Sequence, residues 1–307
     1  MAEPSIDTRP RPGRPAVALP TVSIGLPVYN AERYLRESLD SLLAQTFCDF
    51  EVVVCDNASD DATAAIAEDY ARRDPRVRVY RTDRNHGLAW NWNRAFALAS
   101  GRYFKWAAAD DVHLPHYLER TVAVLLVDPD AVLVHSRTVN VDENGTQGPE
   151  VIKDLRTDGR DVAARFHELT RKGWPCVDVY GLVRTEVLAR TGLHGPYPRS
   201  DRALLAELGL HGRLVQVPEV LFHRREFAGR VSRSHDLISR YAVFTGRPAP
   251  RRAWPTWRLV GGFAAGLLRA TIARRGLTWR DAIRCAASLG RSVWGYRRAL
   301  GHELLRR

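Results

Sequence analysis

From Thr21 to Asp111 the sequence passes four times from a short apolar run to a turn and, between the runs, through a helical repeat. The first three runs are Thr21 to Leu26 (TVSIGL), Phe50 to Cys55 (FEVVVC) and Val77 to Tyr80 (VRVY). The fourth starts at Gly101 and ends in two adjacent acids, Asp110 and Asp111. Between the first two, Ala31, Leu35, Leu39, Leu42 and Leu43 recur on one helix face; after the second, Ala64, Ala67, Tyr70 and Ala71 do the same. Strands this apolar do not alternate and cannot face water, so they belong to a parallel sheet covered on both sides. The fold class that follows is α/β.

In such a sheet ligands bind outside the carboxyl ends of the strands. Tyr29, Asn30, Asp56, Asn57, Asn85 and Asp110 all fall there. Each residue type also has a plain structural use: Asn30 and Ser59 as helix caps, Asn85-His86-Gly87 as a turn, Asp56 as a strand-end turn former, the acid pair as solvated loop residues. Neither use excludes ligand contact. One or two carboxylates completed by phosphate oxygens are the usual cage for Mg2+ or Mn2+. Such an ion would neutralise a diphosphate as it leaves.

Beyond Pro115 a helix is expected to about Val127, then a strand from Ala131 to His135. Val139 to Val141 precedes an Asn144-Gly145 turn, Val162 to Thr170 reads as a helix, and Trp174 to Arg184 is rich in β-formers. Ser200 to Leu208 has helical spacing with Leu204, Leu205 and Leu208 inward, and two strand-like pieces, Leu214 to Val217 and Val220 to Arg224, follow. The expected organisation is a disordered leader over 1–20, a nucleotide-binding half over 21–127, an acceptor-side half over 128–247 and a helical tail over 248–307.

Charge separates that tail from the rest. Residues 251–307 hold 13 Arg, no Lys and two acids, which accounts for the whole net charge of +11 and leaves 33 basic and 33 acidic residues before them. A polyanionic partner would meet the tail, and nucleic acid is not expected as a partner of the body. In the stretch from Trp279 to Leu300, Arg284, Arg291 and Arg298 share one stripe, with Ala286, Val293 and Leu300 about 200° round. Arg and Trp on opposite flanks suit an anionic membrane surface, and a helix docked on the body by its apolar stripe fits the periodicity equally well. No run reaches 18 apolar residues. Cys48, Cys55, Cys176 and Cys285 have neither metal-ligand nor disulfide spacing, which points to a reducing, cytoplasmic setting, with the tail at the inner face of the plasma membrane.

Taken in order, Pro27-Val28-Tyr29-Asn30, Val54-Cys55-Asp56-Asn57-Ala58-Ser59-Asp60, Asn85-His86-Gly87 with Asn93, and Gly101-Arg102-Tyr103 leading to Asp110-Asp111 resemble the family 2 glycosyltransferases. The resemblance covers roughly Thr21 to Arg225. It implies a GT-A fold, a mostly parallel twisted sheet covered by helices, and inverting sugar transfer from a nucleotide-sugar, a UDP-sugar being favoured. By position, Pro27, Tyr29, Asn30 and Glu32 would border the nucleoside and Asp56 would accept from its base, with Asn57 and Ser59 close by. Asn85, Gly87 and Asn93 would line the ribose and diphosphate. Asp110 would contact ribose or sugar, and Asp111 would hold the metal, Mg2+ or Mn2+. Asp201 would be the general base, opening a helix, a place where its charge also suits the helix dipole. Arg224 and Arg225 would close over the diphosphate, with His223 as a further metal or diphosphate ligand. Three departures stand out: Ser200 where the family more often has Glu before the base, Ala108 where many relatives have Asp, and Phe227 where they often have His.

A nucleotidyltransferase sharing the nucleotide-binding half would carry a Gly-rich basic loop after its first strand, and Pro27-Val28-Tyr29-Asn30 has neither feature. Expected acceptors are a hydroxyl of a glycan or glycolipid in cell-surface assembly, or of a small natural product.

Overall fold

The computed structural model describes residues 19–151, 155–171, 175–228, 230, 237–248, 255–272 and 277–305. The leader up to residue 18, Trp174, His235 and Trp254 lie outside them.

β1 (Val22–Val28) is buried at six positions and half-buried at the seventh, and β2 (Phe50–Asp56) is buried throughout, as strands covered on both faces must be. They pair in parallel, Val22 opposite Phe50 and Val28 opposite Asp56. β3 (Val77–Arg81) adds to β2, and β4 (Tyr103–Trp106) adds to the other side of β1, again in parallel. The connecting helices are α1 (Glu32–Leu43), α2 (Thr63–Arg73) and α3 (Leu88–Ala97). Because the chain adds β2 and β3 on one side of β1 and β4 on the other, the connections part between β1 and β4 and leave a crevice at their carboxyl ends.

The second half continues the same sheet. β5 (Val112–His113), α4 (Tyr117–Val127), β6 (Ala131–Val141), β7 (Gln147–Glu150), α5 (Val162–Thr170), a 3-10 turn over Val177–Tyr180, β8 (Leu182–Arg184), α6 (Thr185–Leu188), α7 (Ser200–His211) and β9 (Arg213–Arg225) follow in order. The strand order is β3-β2-β1-β4-β8-β6-β9-β5, with β7 on the edge of β6. β8 runs antiparallel to β4 and β6, β9 parallel to β6, and β5 antiparallel to β9. The two pieces expected at 214–217 and 220–224 are one strand: the register steps from Val217 opposite Ser136 to Val220 opposite Arg137. Pro218, which has no N–H for the ladder, sits in that step. The β-rich stretch ending at Arg184 yields a 3-10 turn and three residues of strand.

Three helices end the chain: α8 (Leu237–Thr245), before the expected tail, and α9 (Pro255–Ile272) and α10 (Trp279–Leu305) within it. Leu259, Phe263 and Leu267 of α9 share a core with Phe166, Leu169, Leu204 and Leu208. This is why α7 is buried on nearly all sides rather than along one stripe: the sheet and α5 take one face and α9 the other. α10 docks through Cys285, Ser288, Ser292, Tyr296 and Leu300. That ridge is spaced at three and four residues and not at seven, so Ala286 of the expected stripe is exposed. The outer face of α10 presents Trp279, Ile283 and Trp294 between exposed arginines.

One charged tie fastens α9 to α7. Glu207, only 3% exposed, accepts from Arg269 Nε at 2.7 Å and Nη2 at 2.8 Å, and from the Gly192 N–H at 3.1 Å. Arg269→Ala would leave that carboxylate nearly unpaired and should lower unfolding stability by about 2 to 4 kcal/mol in denaturant titration.

Candidate active site

The loops after β1 and β2 fix one another before any ligand arrives. Asp61 Oδ2 accepts from the Glu32 N–H at 3.1 Å, and Glu32 Oε2 accepts from the Ala62 N–H at 2.9 Å, so the acid on each loop caps the helix of the other. Asn30, expected to cap α1, sits instead in the left-handed region (φ 48°), and its Oδ1 accepts from the Asp60 N–H. Ser59 Oγ accepts from the Asn30 N–H at 3.0 Å. Ala58, also left-handed (φ 62°), completes a pair of strained residues on facing loops, a cost tolerated where the geometry matters.

Asp56 is fully buried. Its Oδ1 accepts from the Ser59 N–H at 3.0 Å and hydroxyl at 2.5 Å, while Oδ2 has no hydrogen bond and lies 3.2 Å from Arg81 Nε, on a half-exposed side chain. Asn57 shapes the third loop. Its Nδ2 donates to Asn85 Oδ1 at 2.8 Å, its Oδ1 accepts from the His86 N–H at 3.0 Å, and Asn85 Oδ1 accepts from the Gly87 N–H at 2.8 Å. Gly87 is required there: its φ is +91°, and a Cβ would come within 2.4 Å of the Gly246 backbone at the end of α8.

These loops wall a cavity of about 770 Å³, a volume suited to a cofactor-sized ligand. Of the residues expected to bind donor, Pro27, Tyr29, Asn30, Asn57, Asn85, Asp110 and Arg224 line it, and Asp201 faces the same space from the other half. Six arginines (Arg33, Arg199, Arg202, Arg224, Arg230 and Arg240) and two acids, Asp110 and Asp201, line the cavity; Arg33, Arg224 and Arg230 are paired with Glu143, Glu226 and Asp111, so the wall carries a small excess of positive charge. Burial and the adjacent Asp111 charge push the Asp110 carboxyl up, to about 6.

Other expected contacts have different work. Glu32, Asp56, Ser59 and Gly87 stand behind the lining as shapers of the loops. Asn93 points away from it: Nδ2 donates to the His194 carbonyl at 2.9 Å and Oδ1 accepts from the His194 N–H at 3.0 Å, tying α3 to the loop before α7. Two residues earlier, about 200° round the helix, Asn91 lines the cavity, its Nδ2 bonded to the Cys55 carbonyl and its Oδ1 without a partner. Arg225 is not a diphosphate clamp. Only 2% exposed, it donates from Nε to the Asp110 carbonyl at 3.1 Å and from Nη1 to the Asp142 and Glu143 carbonyls at 3.1 Å. Its Nη2 pairs with Glu37 at 2.6 Å, and its guanidinium lies over the Tyr34 ring.

The metal arrangement expected at Asp111 and His223 is also corrected. Asp111 is fully buried, and both its oxygens are engaged: Oδ1 by the Arg225 N–H at 2.9 Å and Arg230 Nη1 at 2.8 Å, Oδ2 by Arg230 Nη2 at 3.0 Å. His223 sits opposite Val112 in the β9–β5 ladder and does not line the cavity, and burial lowers its pKa. Among the described residues no group of three or more His, Cys, Asp or Glu side chains gathers to hold an ion. The residues present therefore do not fit a divalent ion in the implied arrangement.

Asp201 stands in the first turn of α7, behind Arg199 in a left-handed conformation (φ 69°). Its Oδ1 accepts from the Arg202 N–H at 2.9 Å, and burial raises its pKa above the ordinary aspartate range. The reading of the sequence missed Arg199, Arg230 and Arg240, which lie outside any short motif. It also missed His194, buried at 4% exposure and packed edge-on to Trp92 and Trp106, whose pKa burial lowers to about 3.

Comparison with known proteins agrees with this architecture. The family model described as glycosyl transferase family 2 matches residues 23–191, more than half of the chain. The putative glycosyltransferase EpsE of Bacillus subtilis is 33% identical over 141 residues, 46% of this chain and 51% of its own. The chain thus spans about half the length of that relative. Among solved structures, S. aureus TarS 1-349 in complex with UDP superposes with a TM-score of 0.61 at 19% identity, over 88% of this chain and 71% of its own. Mannosyltransferase PcManGT from Pyrobaculum calidifontis, in complex with GDP-Man and Mn2+, gives 0.52 at 20%, over 96% and 88%. The fold is the GT-A fold of these neighbours.

The assignment of Arg225 to the framework has a direct consequence. Arg225→Ala should lower unfolding stability by about 2 to 4 kcal/mol, since it removes three hydrogen bonds and an ion pair made by a buried guanidinium and leaves a cavity in its place, and this should be measurable without any ligand present.

Proposed function

The chain belongs to glycosyl transferase family 2, and from that premise we propose that it transfers a sugar, with inversion, from a nucleotide-sugar to a hydroxyl acceptor. The observation that carries the reading is the cavity at the β1 and β4 strand ends, whose wall, lined by six arginines with Asp110 and Asp201, carries a small excess of positive charge. A nucleoside diphosphate carries the complementary charge, and arginine forks suit its oxygens.

In this reading Tyr29 and Pro27 border the base, and Asp56, behind the lining and with no hydrogen bond to Oδ2 among the described residues, accepts a ring N–H there when the base displaces Arg81 from that oxygen. Uracil and guanine have such an N–H at their pairing edge; the UDP held by the TarS neighbour makes uridine the first to test. Asn57 and Asn85 hold the loop beside the ribose, Asp110 accepts from a ribose or sugar hydroxyl, and Arg224 contacts the diphosphate. Asp201 takes the acceptor's proton as its oxygen attacks the anomeric carbon. The bond to the diphosphate oxygen breaks on the opposite face, and the electron pair leaves with the nucleoside diphosphate.

For the acceptor we favour a glycan or glycolipid at an anionic membrane surface, on which the outer face of α10 would rest. Trp279 and Trp294, each 69% exposed, and Ile283 at 60% stand on that face with the exposed Arg280, Arg291, Arg297 and Arg298, while Arg284 is held by Asp161 of the body. No described helix is long and apolar enough to cross a membrane. Co-sedimentation with vesicles containing phosphatidylglycerol should exceed that with neutral vesicles and should fall when Trp279 and Trp294 are both changed to Ala. Equal recovery of wild type and variant would remove this surface from the proposal.

The chemical roles are tested by Asp201→Asn. Nucleotide binding should stay within about twofold while turnover falls by about 10² to 10⁴, the scale of a positioned base. In the wild type, turnover should be lost as pH falls through the raised Asp201 pKa, at a higher pH than an ordinary aspartate near 3.9 would give, because the base acts only when ionised. An active Asn variant with the same acid limb would remove Asp201 from this role.

A further inference from the structure

Asp111 has a partner in the place where a metal ion would be expected. Arg230 grips its carboxylate through both terminal nitrogens, Nη1 at 2.8 Å and Nη2 at 3.0 Å, and also donates to the Arg225 carbonyl. Arg230 is 8% exposed, its Nη1 stands 3.7 Å from Asp110 Oδ2, and its side chain lines the cavity between Asp110 and Arg224. Near the pair, the fully buried Lys105 places Nζ 2.8 Å from His113 Nε2 and 3.1 Å from the Trp106 carbonyl, and burial lowers its pKa to about 7. A divalent ion at Asp111 would have to break a buried bidentate pair. The position that many relatives give to another acid is Ala108, on the cavity wall, and it contributes no ligand.

An arginine has five N–H donors. Among the described residues, three of the Arg230 donors serve Asp111 and the Arg225 carbonyl and two have no partner, and the side chain lines the cavity. We propose that Arg230, oriented by Asp111, is the cation that receives the donor's diphosphate, so that nucleotide binding in this chain does not depend on a divalent metal. Asp111 is then a positioning residue: it holds the guanidinium flat and charged at the mouth of the β4 loop. With Arg224 alongside, two guanidinium groups face the two phosphates, and the charge that develops on the leaving diphosphate meets fixed cations.

The inference rests on the nucleotide-sugar reading, and the experiment separates the two. Binding of UDP, GDP, ADP, CDP and dTDP to the full chain is measured by calorimetry, once with EDTA and once with Mn2+. The expected result is one preferred nucleotide whose affinity agrees within about twofold in the two buffers. Arg230→Gln should weaken it by about tenfold to a hundredfold in EDTA, the scale of a hydrogen bond to a charged group. In that variant, with Asp111 freed, Mn2+ should recover part of the loss. Because Arg230→Gln leaves a buried carboxylate uncompensated, the double variant Asp111→Asn with Arg230→Gln, which removes both charges, is measured beside it. It should fold, bind weakly and gain nothing from Mn2+. Binding by the wild type that needs Mn2+, or Arg230→Gln binding as tightly as wild type in EDTA, overturns the role given to Arg230 and leaves the nucleotide reading standing. No binding of any of the five in either buffer overturns the nucleotide reading, and this inference with it.

Discussion

A carboxylate shut away from water at the end of β4 is the demand that organises this molecule. Asp111 is fully buried, and a lone charge in that position would not survive folding ionised. The protein answers with Arg230 and the Arg225 N–H, and the answer spreads. Holding Arg225 in place pairs β5 with β9, fixes the Asp110 carbonyl, and reaches Glu37 on α1. One buried charge thus joins the first half of the sheet to the last strand of the second half.

The crevice itself follows from topology. With β1 between β2 and β4, the connecting chains diverge at one point, and every loop that leaves a carboxyl end there contributes a short polar side chain. The loops are not loose: Glu32 and Asp61 cap one another's helices, and Asn57 holds Asn85 and Gly87. Rigid loops on a buried sheet are the means by which a cavity is formed in advance of its ligand.

Much of this was legible in the sequence. Runs such as FEVVVC name a buried strand because a short, β-branched apolar run between turn residues fits a strand covered on both faces, and the first three strands begin within a residue of where the runs put them. What escaped was whatever depends on contacts across the chain. Asn93 and Asn91 are the same residue type two positions apart, and only the direction of α3 decides which faces the cavity. Arg225 looked like a phosphate ligand because it stands beside Arg224 at a strand end, yet alternation in the strand sends it to the framework side. Arg230 belongs to no motif, and its meaning appears only once Asp111 is seen buried against it. The tail showed a heptad of arginines, but its docking ridge follows the shape of α5 and α9, which the tail's own sequence does not encode.

The most direct measurement of the central claim is hydrogen–deuterium exchange of the full chain with and without UDP. Ligand at the β1 and β4 strand ends should slow exchange at residues 27–34, 85–91 and 224–228 together, with the outer face of α10 unchanged. Protection confined to the tail, or spread over segments that do not wall the cavity, would contradict the account.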